Sequence, residues 1–170
     1  PGVTGFAVGD RVAYTGLPPG AYAAHRNWPV DRLVKLTAGI TDEVAASVML
    51  KGLTAWYLLR RSYRVQAGDT LLLYAAAGGT GTLLSQWAAA LGARVIGVAG
   101  SAAKAAIARE YGCAETVLST DPDFVKKVRE LSGGGVAVAY DSVGRDTFFQ
   151  SLDCLRRHGT MVSFGNASGP

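Results

Sequence analysis

The chain has 170 residues, 49% of them hydrophobic and 18% charged, a balance that excludes intrinsic disorder and allows a full buried core. Seventeen Lys and Arg against thirteen Asp and Glu give a formal charge of +4, but the basic residues are dispersed, the densest pairs being Arg60-Arg61, Lys126-Lys127 and Arg156-Arg157, so nucleic acid is not an expected partner. Cys113 and Cys154 are too few for a disulfide framework; with no signal-peptide pattern and no apolar run of membrane-spanning length, the expected setting is cytoplasmic, with no membrane partner.

The chain opens on Pro1, and Gly5 to Val12 reads as a turn entering a strand mid-domain, so a piece of a longer polypeptide is expected. Asp10–Tyr14, Ala21–His25 and Val34–Leu36 are short strand candidates, the first two separated by a Pro18-Pro19-Gly20 turn. Residues 1–40 thus form a β-rich piece too small to close its own core. His25 has no paired nucleophile and reads as a surface or satisfied histidine rather than a base. Thr41 is a plausible N-cap, with Asp42 and Glu43 favourable in the first turn. The helical pattern continues through Ala45, Met49, Leu53 and Leu58 to about Ser62, with Gly52 as the expected break.

The most informative segment follows. Thr70–Ala75 is an apolar strand, and Ala76-Ala-Gly78-Gly79-Thr80-Gly81 is a tight turn before a helix that carries Leu83, Leu84, Trp87, Ala88 and Leu91 on one stripe and stops at Gly92. Free amides and the positive end of the helix dipole converge on such a turn, which makes it an anion site. It is the dinucleotide fingerprint with its first glycine replaced by Ala76: Gly78 allows close approach of a pyrophosphate, and Gly81 allows the helix to pack on the strand. Arg94–Ala99 is the second strand of this βαβ unit. An NAD-specific site would place an acid at its end to bond the ribose 2′-hydroxyl. Here no carboxylate occurs from Thr70 to Arg109, and the strand runs into Gly100-Ser101-Ala-Ala-Lys104. A hydroxyl and a cation without a repelling acid suit a 2′-phosphate and point to NADPH. The alternative is that Lys104 is only a solvated lysine.

Alternation of strand and helix persists to the end. Ala102–Tyr111 is a helix stopped by Gly112, and Thr116–Leu118 is a strand. Asp121-Pro122-Asp123 opens a helix that Gly133-Gly134-Gly135 ends. Val136–Tyr140 is a strand leading into Asp141-Ser142-Val143-Gly144, Asp146–Arg157 is a helix with basic residues in its last turn, and Thr160–Phe164 is a strand before Gly165-Asn166. Mostly apolar strands alternating with helices predict an α/β fold with a doubly wound parallel Rossmann sheet, whose ligands sit beyond the carboxyl ends of the strands. Cys154 and His158, four apart on that last helix, have metal-ligand spacing but no third ligand, so no metal is expected.

Val8-Gly-Asp-Arg-Val12, Gly20-Ala-Tyr-Ala23, Leu50-Lys-Gly-Leu-Thr-Ala-Trp-Tyr-Leu58, Ala75-Ala-Ala-Gly-Gly-Thr-Gly81, Tyr140-Asp-Ser-Val-Gly144 and Val162-Ser-Phe-Gly-Asn166 occur in the order found in one family. Through them the chain resembles the zinc-independent quinone oxidoreductases of the medium-chain dehydrogenase/reductase superfamily, the group that includes zeta-crystallin, over nearly its whole length. The resemblance implies that residues 1–40 are the end of a GroES-like β-barrel catalytic domain and that 41–170 are most of an NADPH-binding Rossmann domain. It implies hydride transfer from NADPH to a quinone, in a parent expected to be a homodimer, with little turnover by this part alone. An enoyl or alkenal reductase of the same superfamily, and a non-catalytic nucleotide- or RNA-binding module, stay open as alternatives.

By position, the resemblance implies that Gly78, Gly79 and Thr80 meet the pyrophosphate and that Ser101 and Lys104 hold the 2′-phosphate. Ser142 and Val143 would flank the adenine side. Thr54, Tyr57, Phe164, Gly165 and Asn166 would approach the nicotinamide. Other readings stand beside these: Tyr57 as helix packing beside Trp56, Asp141-Ser142 as an ordinary strand-ending turn, and Asn166 as a left-handed turn residue. Thr80 replaces the family's usual valine, and a tyrosine that some relatives carry near Ser119-Thr120, where it touches the phosphate, is missing.

Overall fold

A computed structural model describes residues 2–169 of the chain, which divide into two compact units, 2–53 and 54–169. In the first, β1 (Val12–Ala13) pairs antiparallel with β2 (Val34–Lys35), with Val12 opposite Lys35. Lys35 bridges Asp10 at 2.7 Å, and Arg11 bridges Asp42 at 2.6 Å. Ala21–His25, expected as a strand, lies in bends instead. Arg26 stacks over the rings of Trp28 and Tyr14, 4.2 and 5.2 Å from their centroids, and this planar packing takes the place of a ladder there.

Helix α1 (Asp42–Tyr57) begins where Thr41 Oγ1 accepts from the Val44 amide at 3.3 Å. The break expected at Gly52 does not occur: the helix runs on unbroken and widens into a π-turn over Leu58–Ser62. Leu58 and Leu59 of that turn are fully buried, and the Tyr140 hydroxyl donates to the Leu58 carbonyl at 3.0 Å.

The second unit is built on five parallel strands: β3 (Thr70–Leu73), β4 (Arg94–Ala99), β5 (Glu115–Leu118), β6 (Val136–Asp141) and β7 (Leu155–Ser163), ordered β5-β4-β3-β6-β7. The order reverses between β3 and β6, the switch point of a Rossmann sheet. Period-two alternation divides the core. Leu71, Leu73, Val95, Val138 and Tyr140 face one side, and Leu72, Tyr74, Ile96, Val98 and Ala139 the other. Helices α2 (Gly79–Ala90) and α3 (Ala102–Glu110) cover the first face through Leu84, Ala88 and Ala108; α4 (Phe124–Ser132) lies on the second through Phe124 and Val128. Cys113 belongs to the first layer and Cys154 to the second. The α/β doubly wound reading therefore holds.

Two boundaries depart from expectation. Asp121-Pro122-Asp123 forms the turn before α4, with Asp121 accepting from the Asp123 amide, so the proline lies outside the helix. The helix expected over Asp146–Arg157 is only α5 (Phe148–Asp153); Leu155–His158 already belong to β7. β6 pairs Val136 with Leu155 and Val138 with Thr160, and the extra residues form a bulge in which His158 takes φ +59°. Cys154 and His158 therefore do not share a helix, which removes their metal-ligand spacing.

Candidate functional site

The segment after β3 turns sharply because Ala75 adopts φ +50° and accepts from the Gly78 amide at 2.8 Å. The left-handed residue is thus Ala75, one position before the alanine that replaces the fingerprint's first glycine. Ala76 is fully buried and donates to the Val98 carbonyl. Gly97 on β4 makes room for it: a Cβ built at Gly97 would lie 2.8 Å from the Ala76 methyl and 2.7 Å from Cys113 Sγ. Gly81 serves the close approach expected of it, since a Cβ there would stand 2.4 Å from the Ala75 carbonyl oxygen. Gly78 has an ordinary φ of −78° and is exposed, as is Gly79. The ladder of α2 starts with the Thr82 amide bonding the Gly78 carbonyl, which leaves the amides of Gly79, Thr80 and Gly81 ahead of it at the positive helix end.

Beside this turn a crevice of about 510 Å³ opens beyond the carboxyl ends of β3, β4 and β6, within the range of small-molecule sites. Gly78, Lys104 and Val143 line it, so it gathers parts of three separate sequence expectations. Lys104, on the first turn of α3, has no ion-pair partner among the described residues. Ser101 is the N-cap of α3, its Oγ accepting from the Lys104 amide at 3.3 Å, which leaves its own proton free for an acceptor.

The opposite wall is organised by Asp141, fully buried at the end of β6. Its Oδ1 accepts from the amides of Val143 (2.7 Å) and Gly144 (3.1 Å), and its Oδ2 from the hydroxyls of Thr147 (2.7 Å) and Ser151 (2.8 Å). The Asp141-Ser142 turn is thus a strand-ending turn and also what fixes Val143 and Thr147 at the crevice. The segment after β7 is tied to it. Phe164 donates to the Asp141 carbonyl and Ala167 to that of Ser142, while a Cβ at Gly165 would meet the Ser142 carbonyl oxygen at 2.7 Å. Ser142, Val143, Phe164 and Gly165 come together in this way. Asn166 is exposed and does not take a left-handed backbone.

Thr54 and Tyr57 lie in the last turns of α1 and do not line the crevice. Tyr57 remains 38% exposed, so core packing does not account for it; Trp56 beside it stacks with Arg61 at 5.5 Å. Sequence reasoning missed Tyr74, Thr147 and Gln150 in the crevice wall. Tyr74 is buried, with its hydroxyl unpartnered among the described residues, and burial raises its phenol well above the ordinary range. Only an i, i+3 spacing links Thr147, the N-cap residue of α5, to Gln150 in its first turn.

Residues 79–170 match the family described as zinc-binding dehydrogenase. The chain is 50% identical over 169 residues to a quinone oxidoreductase of Pseudomonas aeruginosa, covering 99% of this chain and 52% of that protein. It is 49% identical over 173 residues to a 2-haloacrylate reductase of a Burkholderia species, with the same coverages. The crystal structure of Escherichia coli quinone oxidoreductase complexed with NADPH superposes with a TM-score of 0.94 at 47% identity, over 99% of this chain and 52% of that one. The chain spans about half the length of the curated relatives it matches. Zinc does not fit the described residues: no three His, Cys, Asp or Glu side chains come together as ligands. The glycine turn on a buried sheet, the order reversal beside it and the family match over the same residues agree: the chain belongs to the zinc-binding dehydrogenase family.

Proposed function

We propose that this chain carries the NADPH-holding part of an NADPH-dependent quinone oxidoreductase. The observation that carries the reading is the crevice itself, with Gly78, the N-cap of α2, at one end and Lys104, without an ion-pair partner among the described residues, on its lip. In this reading Gly78, Gly79 and Thr80 present backbone to the pyrophosphate, where a side chain would take its space. Ser101 and Lys104 hold the 2′-phosphate by a hydroxyl proton and a charge. Ser142 and Val143, fixed by Asp141, flank the adenosine half, and Thr54, Tyr57, Phe164, Gly165 and Asn166 meet the nicotinamide half. When bound, NADPH supplies the hydride to the acceptor. The residues of this chain orient it and exclude water; no side-chain acid is needed, because quinone oxygens take protons from solvent. Residues 1–40 are read as the end of a GroES-like domain, 41–170 as the dinucleotide domain, and the parent as a homodimer.

The similarity to a 2-haloacrylate reductase at 49% identity favours a second reading, reduction of an activated alkene with the same cofactor. A panel of simple quinones and 2-haloacrylates, followed by loss of NADPH absorbance in the polypeptide that includes this chain, separates the two. The cofactor reading is tested on this chain alone. NADPH is expected to bind more tightly than NADH, and Lys104→Ala to cost about 1.5 kcal/mol toward NADPH only, the low end for a charged hydrogen bond at an exposed site. Calorimetric titrations giving equal affinity for both nucleotides would overturn it.

A further inference from the structure

The crevice holds a polar group that neither the pyrophosphate nor the 2′-phosphate uses. Gln150, on α5, lines it together with Lys104, Val98, Tyr74 and Thr147. Its side chain is half-buried and makes no hydrogen bond among the described residues, whereas two polar neighbours in its wall are engaged. Thr147 donates to Asp141 at 2.7 Å, and Asp146 faces Arg145 at 3.5 Å. An amide on a crevice wall whose donor and acceptor the protein leaves unused can offer both to a ligand that enters.

Nucleotide chemistry says which part of the ligand is near. The 2′-phosphate and the base sit on adjacent ribose carbons, so a phosphate held by Lys104 leaves the base within the same cavity. Val98 and Tyr74 give that cavity an apolar wall for a flat ring. We propose that Gln150 reads the base, its amide oxygen accepting from the exocyclic amino group of adenine and its amide N–H donating to the neighbouring ring nitrogen, the bidentate pairing that glutamine makes with adenine. The proposal rests on the NADPH reading of the crevice and deepens it by naming a specificity-determining residue on the wall opposite the phosphate.

The test titrates adenosine 2′,5′-bisphosphate and its purine counterpart, which lacks the 6-amino group, into the wild-type chain, Gln150→Leu and Gln150→Met. The two variants keep the side chain's bulk, and two of them guard against one local misfit. Wild type is expected to bind the adenosine ligand about tenfold more tightly than the purine ligand, at the low end for one bidentate base contact. In both variants the two ligands should bind alike, within about twofold, with thermal unfolding unchanged. A wild-type chain that binds both equally, or variants that keep the preference, would overturn the assignment. If that happens while Lys104→Ala still weakens both ligands, only the base reading fails. If neither ligand binds wild type, the NADPH reading fails with it.

Discussion

Asp141 is a carboxylate with four donors and no exposure, and that makes it the residue whose removal is most informative. Truncation to alanine strands unequal partners. Thr147 and Ser151 keep second acceptors, the carbonyls of Gly144 at 3.2 Å and Thr147 at 2.8 Å, whereas the amides of Val143 and Gly144 lose their acceptor. One buried and one part-buried amide left unmade predict a loss of about 2–3 kcal/mol for Asp141→Ala. Asp141→Asn, which keeps one oxygen for both amides, is expected to lose about half as much. Urea unfolding midpoints at constant m-value measure both. Gly78 and Lys104 were legible at this scale because a fingerprint and a charge pattern announce them, and Val143 only through the family resemblance. Gln150 and Tyr74 were not: no local pattern shows that an amide two turns past a strand and a phenol at a strand's end will line one cavity.

Among the elements, the glycine turn combines two devices. Gly81 is demanded by contact, with 2.4 Å to the Ala75 oxygen, whereas Ala75 holds a left-handed backbone, at φ +50°, that alanine disfavours. A left-handed alanine costs about 1–2 kcal/mol, and glycine returns most of that while adding about 0.5–1 kcal/mol of chain entropy. Ala75→Gly is therefore expected to stabilise the chain by about 0.5–1 kcal/mol, read as a rise in the thermal midpoint. No change or a loss would show that neighbouring contacts already relieve the turn. Strands β3, β4 and β6 were legible because central parallel strands are apolar on both faces. β7 was only half so: its first residues lie in the bulge, and Arg156, Arg157 and His158 there are exposed. Three polar residues in a row read as the last turn of a helix, and only the ladder to β6 corrects that.

Across the molecule, the layered α/β plan followed from alternation alone, because each buried strand must be covered on both faces. The first 53 residues were harder to read. Val12–Ala13 and Val34–Lys35 are the paired strands of that unit, and Leu50, Leu53 and Tyr22 stay exposed. Short ladders with little buried apolar area leave little periodicity to detect. No described helix is long and apolar enough to cross a membrane.

The placement of Cys113 and Cys154 on opposite faces of one sheet gives the molecule two internal clocks. Burial raises both thiols, Cys154 to about 12, and Cys113 also shares a 3.2 Å contact with Ser85 Oγ. Neither sulfur is a thiolate in the folded chain near neutral pH, so an alkylating reagent reaches each one only when its own helical layer opens. Labelling of both should quicken about tenfold per pH unit up to about 8.5, the ordinary thiol value that applies once a layer is open. Mass spectrometry of the two peptides then times the layers separately. On the proposed reading, a nucleotide that touches Lys104 on α3 and Gln150 on α5 would fasten one layer to the other, and both clocks should slow together when it binds.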